Sequence, residues 1–372
     1  MKIITYFLYG NNPKYNIELS FSIFSMLRFL RHSSQDIIIS IISDRHDFQL
    51  NFPGIKIEHT YISHDELNYW TKQGQYHHRA KIFALAKALD YYQLPVVLID
   101  TDTYFIQHPQ KLFERISVNK SIMHNFEYRI DNSKLWEPIV RELGEGIEVS
   151  GTRISPESLM FNSGVIGVDI SHRELLDKSI NVLDTLQGIS PIFNVEQFAL
   201  GVVFNQFTNL DLCTDIVKHY WGYERGFIHI QADRLMETLQ KNNYSVINFD
   251  QDKMGYPPKN FQDSLESRIL SIIKKWDKNY AFAYLAYLTA FRYVSQDMAY
   301  ANEWANVTLQ VIKFALMDYQ SDKEHPNYFK SLERDFYLLN QNNIHSLHWL
   351  DESVKSNWLK FWQVWQHKPL TI

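Results

Sequence analysis

The apolar run Pro95-Val96-Val97-Leu98-Ile99 ends in Asp100-Thr101-Asp102. Five apolar residues between polar ones describe a strand buried on both faces. Two carboxylates at the end of so deep a strand do not serve packing, because an unpaired buried carboxylate is expensive. In open α/β sheets, ligands bind in the loops beyond the carboxyl ends of the strands. Two oxygen donors one residue apart can grip a divalent cation or the ribose of a nucleotide. A surface turn that is acidic by chance is the plainer alternative.

The sequence around this run alternates strand and helix patterns. Ile3–Tyr9, Ile37–Ile42 and Ile55–Ile62 read as strands. Ile17–Arg31 and His78–Tyr92 carry apolar residues at helical spacing, and Ser121–Phe126 and Ser158–Asp169 add two more strand candidates. This rhythm predicts an α/β fold with a mostly parallel sheet covered by helices. The polar segment Glu127–Gly151 reads as a mobile loop or a small insertion. From about Gly226 the pattern becomes helical through Leu265–Ile273, Tyr280–Val294, Ala299–Met317 and Trp349–Trp365. The expected division is therefore a catalytic domain over 1–226 and a helical C-terminal region over 227–372.

Composition removes several classes. A net charge of −5 argues against a nucleic-acid binder. Cys213 is the only cysteine, which excludes an internal disulfide and a cysteine-based zinc cluster and suits a reducing compartment. The first ten residues carry one lysine and no small-residue cleavage site, so they read as a first strand. No apolar run approaches the about 20 residues of a membrane span.

Three further stretches carry chemistry. In Phe161-Asn162-Ser163-Gly164-Val165-Ile166-Gly167-Val168 the glycines remove side chains where another group approaches closely, and Asn162 and Ser163 offer hydrogen bonds to hydroxyls. Asn194-Val195-Glu196-Gln197 opens a helix after Pro191, placing an acid where the helix dipole favours one. His219-Tyr220-Trp221-Gly222 lies just before the change of pattern, where a strand would return towards the acidic pair. Its imidazole would complete a set of one histidine and two carboxylates suited to Mn²⁺ or Mg²⁺.

Taken together, these residues resemble the GT-A fold glycosyltransferases of the glycogenin and lipopolysaccharide galactosyltransferase type. The resemblance covers roughly Ile3 to Gly226. Leu98-Ile99-Asp100-Thr101-Asp102-Thr103, followed by His108-Pro109 and Leu112-Phe113, looks like that family's DxD motif and its sequel. Phe161-Asn162-Ser163-Gly164-Val165 is similar to its sugar-binding strand, Glu196-Gln197 to its acid-glutamine pair, and His219-Tyr220-Trp221-Gly222 to its metal-binding histidine strand. One departure stands out: Tyr223-Glu224-Arg225 replaces the lysine, proline and tryptophan that hold the diphosphate in the glycogenin-like group.

The resemblance implies a cytoplasmic hexosyltransferase, at the inner face of the membrane in one version, acting on a nucleotide-sugar donor such as a UDP-sugar. The acceptor would be a glycan or a lipid-linked molecule, in surface polysaccharide synthesis. Asp100, Asp102 and His219 would hold Mn²⁺ or Mg²⁺. Tyr6, Tyr9, Arg79, Lys81, Asp100, Asn162, Ser163 and Arg225 would bind the donor, with Asp44 near the base. Glu196 and Gln197 would be catalytic, Glu196 as a base in an inverting enzyme or as a stabiliser of the positive sugar in a retaining one. The resemblance leans towards retention.

Two rivals remain. A phosphatase of the haloacid dehalogenase type also begins with paired acids after a strand, but its pattern wants Thr or Val where this chain has Tyr104, and a downstream acidic cluster that is missing. A non-catalytic adaptor would keep the fold and use the helical tail for binding. Trp358, Phe361, Trp362 and Trp365 fall at helical spacing near Lys355 and Lys360. That stripe reads as a helix packed on the catalytic domain, with a peripheral membrane or partner helix as the alternative.

Overall fold

The structure, a computed structural model, describes residues 1–30, 36–46, 48, 50, 52, 54–242, 250–317, 329 and 331–367. The chain forms two compact units, Met1–Tyr220 with Ala232–Phe249, and Trp221–Gln231 with Asp250–Ile372.

The first unit opens with β1 (Lys2–Leu8), α1 (Lys14–Leu27), β2 (Ile37–Ser43), β3 (Lys56–Tyr61), α2 (His64–Trp70), α3 (Arg79–Tyr92) and β4 (Val96–Ile99). It continues with β5 (Thr103–Phe105), α4 (Gln110–Phe113), β6 (Lys120–Arg129), α5 (Glu137–Leu143), β7 (Ile147–Val149), β8 (Thr152–Ile154) and β9 (Leu159–Val168). Then come α6 (Arg173–Ile189), α7 (Val195–Phe207), β10 (Asn209–Leu212) and β11 (Val217–His219). Seven strands make one sheet in the order β10-β6-β9-β4-β1-β2-β3. All neighbours run parallel except β9, which is antiparallel to both β4 and β6. This is the mixed, mostly parallel, helix-flanked α/β sheet that the sequence predicts.

Alternation along the strands sorts side chains onto two faces. Ile3, Ile38, Val96 and Leu98 join α3, α6 and α7 in one core. Ile4, Tyr6, Ile39, Ile41, Val97 and Ile99 join α1 in the other. Both faces being dry explains why these strands read as continuous apolar runs. At Gly167 an added Cβ would lie 2.5 Å from Ile122 Cγ1, so β9 accepts only glycine beside β6.

The segment expected to be a mobile loop or small insertion is a folded insertion. It contains the end of β6, α5 and the hairpin β7–β8, and it buries Trp136, Ile139 and Leu143. Of the two alternatives the sequence left open, the structure takes the insertion.

Helix α8 (Arg225–Lys241) begins in the second unit and ends in the first. The rest of the second unit is helical: α9 (Phe261–Ile273), α10 (Lys278–Tyr293), α11 (Met298–Met317), α12 (Leu332–Asp335) and α13 (Glu352–His367). The aromatic stripe of α13 is core of this unit itself. Trp358 and Trp362 are fully buried, their indoles donating to Ala305 O and Leu339 O at 3.1 and 2.8 Å. Buried indoles of this kind anchor a helix rather than meet a membrane. Among the described residues, no helix is long and apolar enough to cross a membrane.

Cys213 is fully buried and donates to Met123 O at 3.4 Å. Burial pushes its thiol above the ordinary range, because the thiolate would lose its hydration. Iodoacetamide should therefore label native protein at least about 100-fold more slowly than protein in denaturant. Comparable labelling rates in the two states would contradict the packing around β10.

Candidate functional site

Four chain segments meet at the carboxyl end of β4. The backbone leaves β4 through Asp100-Thr101-Asp102 and turns into β5. The β5 strand pairs antiparallel with β11, setting His219 opposite Thr103. Asp100 N–H donates to Gly164 O at 2.9 Å and Tyr220 N–H to Asp102 O at 3.0 Å, so β9 and β11 fix the acidic turn from both sides. Below it runs a buried hydroxyl chain. Tyr6 Oη bonds Ser22 Oγ at 2.9 Å, Ser22 bonds Thr103 Oγ1 at 3.0 Å, and Thr103 donates to Asp100 O at 2.8 Å. Thr101 Oγ1 donates to the buried Glu18 at 2.7 Å.

One ligand atom from each of Asp100, Asp102 and His219 lies within 4.8 Å of the others. The histidine is tightly placed. A Cβ on Gly164 would come within 2.3 Å of His219 Nδ1, so the imidazole occupies the space the glycine leaves open. Asn162 Oδ1 accepts from Gly164 N–H and from His219 Nδ1–H, both at 2.9 Å. Its amide is oriented by Glu127, which accepts from Nδ2 at 2.9 Å. With Nδ1 bearing the proton, Nε2 points its lone pair at Asp102 Oδ1, 3.2 Å away. Either a proton or a metal ion between the two atoms would satisfy both.

Lys81 is the cation built into the site. Its Nζ donates to Asp100 Oδ2 at 2.8 Å and to Ser163 Oγ at 3.2 Å, and it lies 3.6 Å from Glu196 Oε1. Burial alone would lower its pKa, but the carboxylates of Asp100, Glu196 and Asp102 outweigh that and hold it protonated. Glu196 is only 3% exposed, and its Oε1 has no hydrogen-bond partner. Three carboxylates thus share one ammonium. The excess of two negative charges, together with hard oxygen and imidazole donors, fits a divalent cation such as Mn²⁺ or Mg²⁺ held by Asp100, Asp102 and His219.

The remaining expected residues are placed as follows. Gln197 Nε2 donates to Glu127 Oε2 at 2.9 Å, which links the start of α7 to the Asn162–His219 pair. Tyr9 is half-buried and stacks on Phe7 and His77, with centroids at 5.0 and 5.9 Å. Its phenol is pushed up to about 12 by burial, then by Tyr15, and by Asp100 and Glu196 against the pull of Lys81. Asp44 accepts from Gly10 N–H at 3.1 Å beside a cavity of about 450 Å³ lined by Asn11, Asn16, Arg45 and His46. Arg225 opens α8 in the second unit.

Tyr6 and Arg79, both expected to bind a donor, have other tasks. Tyr6 is fully buried on the α1 face of the sheet, its hydroxyl spent on Ser22. Arg79 makes a two-pronged pair with Asp184 at 3.0 and 3.1 Å and donates to Tyr69 O and Trp70 O. Its guanidinium joins α3, α2 and α6.

Four residues that the sequence reading passed over belong here. Glu127 joins Asn162 to Gln197, as above. Glu18 receives Thr101. Tyr76 Oη donates to Phe193 O at 2.7 Å and accepts from Glu196 N–H at 3.0 Å, fixing the start of α7. His124, edge-on to His219 with centroids 5.5 Å apart, shares a hydrogen bond with Val217 O at 3.0 Å. Burial above all, with repulsion from the neighbouring imidazole, pushes His124 down to about 4, so it stays neutral. Only Glu127 had a local signal, as an acid ending a strand; the others become visible once the sheet is built.

No protein-family model matches the chain, and no curated protein sequence matches it. Among solved structures, the chain is similar to the galactosyltransferase LgtC in complex with donor and acceptor sugar analogues. Identity is 10%, the alignment covers 68% of this chain and 98% of that one, and the TM-score is 0.42.

Two outcomes follow from these contacts. Gly164→Ala should displace the His219 ring and weaken Mn²⁺ binding at least about 10-fold by isothermal titration; unchanged affinity would remove His219 from the ion's surroundings. Arg79→Met should lower the urea-derived unfolding free energy by about 2–3 kcal/mol, because Asp184 and two carbonyls lose a charged partner. A midpoint equal to wild type would show that the pair is ornamental.

Proposed function

We propose that this chain is a metal-dependent glycosyltransferase. It moves a sugar, a hexose in the narrower reading, from a nucleoside diphosphate donor to a hydroxyl of a glycan or lipid-linked acceptor. The observation that carries this reading is the convergence of Asp100, Asp102 and His219 beside the ammonium of Lys81 at the end of a parallel strand. A divalent cation held by these three residues would supply positive charge to the diphosphate as it departs.

In the reaction the bond from the sugar C1 to the diphosphate oxygen breaks, and its electron pair stays with the diphosphate. The acceptor oxygen bonds C1, and its proton passes to the departing diphosphate. The transition state concentrates negative charge at the diphosphate and positive charge on the sugar ring. Lys81 orients Asp100 for the donor side through its 2.8 Å hydrogen bond. Glu196, 3.6 Å from the Lys81 ammonium in a nearly dry setting, is a carboxylate placed to stabilise the positive sugar. Its burial supports that role over direct removal of the acceptor's proton. Ser163 and Gln197 orient sugar hydroxyls around this pair. Asn162 acts one step back, as the holder of His219. Tyr9 offers a half-buried ring to the nucleotide base.

Incubation with a panel of UDP- and GDP-sugars should reveal sugar release that EDTA stops and Mn²⁺ restores. Asp102→Asn should lower kcat at least about 1000-fold while the melting temperature stays close to wild type. Full turnover in metal-free buffer, or an Asp102→Asn enzyme within a few-fold of wild type, would overturn the reading. Release of phosphate from p-nitrophenyl phosphate would favour a phosphatase.

A further inference from the structure

Helix α9 is packed inside out. Its inward face carries two buried polar residues beside Leu270. Asp263 is 5% exposed and pairs with Arg292 at 2.7 and 2.5 Å, and Ser267 is 4% exposed and donates to Ala281 O at 2.7 Å. Its outward face is apolar: Phe261, Leu265, Ile269, Ile272 and Ile273 are 78, 46, 47, 71 and 70% exposed. At 100° per residue these five side chains form one continuous stripe along the helix. Water meets a row of side chains that would ordinarily line a core.

The rim of the stripe is basic. Arg268 flanks it, Lys275 follows the helix end and Lys278 begins α10, and all three are exposed. Among the described residues none of the three has an ion-pair partner in the structure. The acid on the opposite rim, Glu266, accepts from Tyr284 Oη at 3.0 Å. The stripe exposes roughly 600 Å², at the upper end of the largest apolar patch on a soluble monomer. That is short of the about 800 Å² each partner buries in a standard protein interface. One helix with an apolar stripe and free cations beside it is the shape of an interfacial membrane helix, whose apolar face sinks about 5–10 Å into the headgroup boundary.

We infer that α9 docks the second unit on an anionic lipid surface, with Phe261, Leu265, Ile269, Ile272 and Ile273 inserted among the acyl chains and Arg268, Lys275 and Lys278 at the headgroups. This surface is independent of the proposed transfer chemistry, and its test needs no activity.

The test is flotation of the full-length protein with liposomes of phosphatidylcholine, alone or with about 30% phosphatidylglycerol. Wild type should float with the anionic liposomes, less so as salt rises. Ile272→Glu with Ile273→Glu should lose at least about 10-fold in partitioning. Arg268→Glu with Lys275→Glu should lose the preference for phosphatidylglycerol. These side chains are exposed, so both variants should melt like wild type. Phe261→Ser serves as a milder variant should either fail to fold, and it should partition less than wild type. Wild type that stays at the bottom of the gradient, or glutamate variants that float equally well, would overturn the inference. So would sedimentation velocity showing a wild-type dimer that the glutamate pair converts to monomer, which would assign the stripe to a second copy of the chain.

Discussion

The candidate site depends on one steric fact, the seating of the His219 ring in the gap left by Gly164. The ring and the missing side chain come from strands far apart in sequence, β11 and β9. The imidazole nitrogen would clash with a Cβ at 2.3 Å, so no other residue at 164 leaves the histidine in place. Once seated, the ring is held at one end by Asn162, whose amide is oriented by Glu127. The other nitrogen then has one direction left, towards Asp102. Each partner removes one degree of freedom, and the last is removed by the pairing of β11 with β5.

Electrostatics completes what sterics begins. Asp100, Asp102 and Glu196 converge with Lys81 as the ammonium among them. In so buried a setting the charges interact strongly, and an uncompensated carboxylate would be costly. A dication removes the imbalance. The same imbalance accounts for the protonated Lys81 and for the partnerless oxygen of Glu196. A divalent ion held there would stabilise the folded chain through linkage, since the unfolded chain does not present this arrangement.

Much of the first unit was legible because a sheet dry on both faces writes itself as uninterrupted Val, Ile and Leu. The ends of those runs then point to the ligand side of the sheet. Gly164 was legible as a close approach, and the approaching group is the very histidine singled out further on. What stayed hidden depends on which way a side chain faces. Tyr6 lies on a ligand-proximal strand, yet alternation turns it into the α1 core, where its hydroxyl supports the acidic turn from behind. Arg79 sits at the start of α3 like Lys81, but two residues along a helix are about 200° apart. One side chain therefore meets Asp100 and the other Asp184. Glu18 and Tyr76 act through contacts 83 and 120 residues distant, and no local pattern announces these.

The α9 helix shows the converse case, where the period is right and the facing is reversed. Leu265, Ile269, Ile272 and Ile273 repeat as a buried helix should, and the pattern alone would turn them inward. The structure turns them outward because the inward positions are already taken by groups that need partners and have them. Asp263 meets the guanidinium of Arg292 through both oxygens, and Ser267 caps a carbonyl of α10. Rotating the helix to bury its isoleucines would strand an aspartate in solvent-facing register and leave Arg292 without its acid. Buried polar groups with satisfied hydrogen bonds cost little to keep and much to disrupt. The outward stripe is therefore a fixed feature of the second unit rather than a packing error, and an apolar face at the top of the range for soluble monomers often marks a contact.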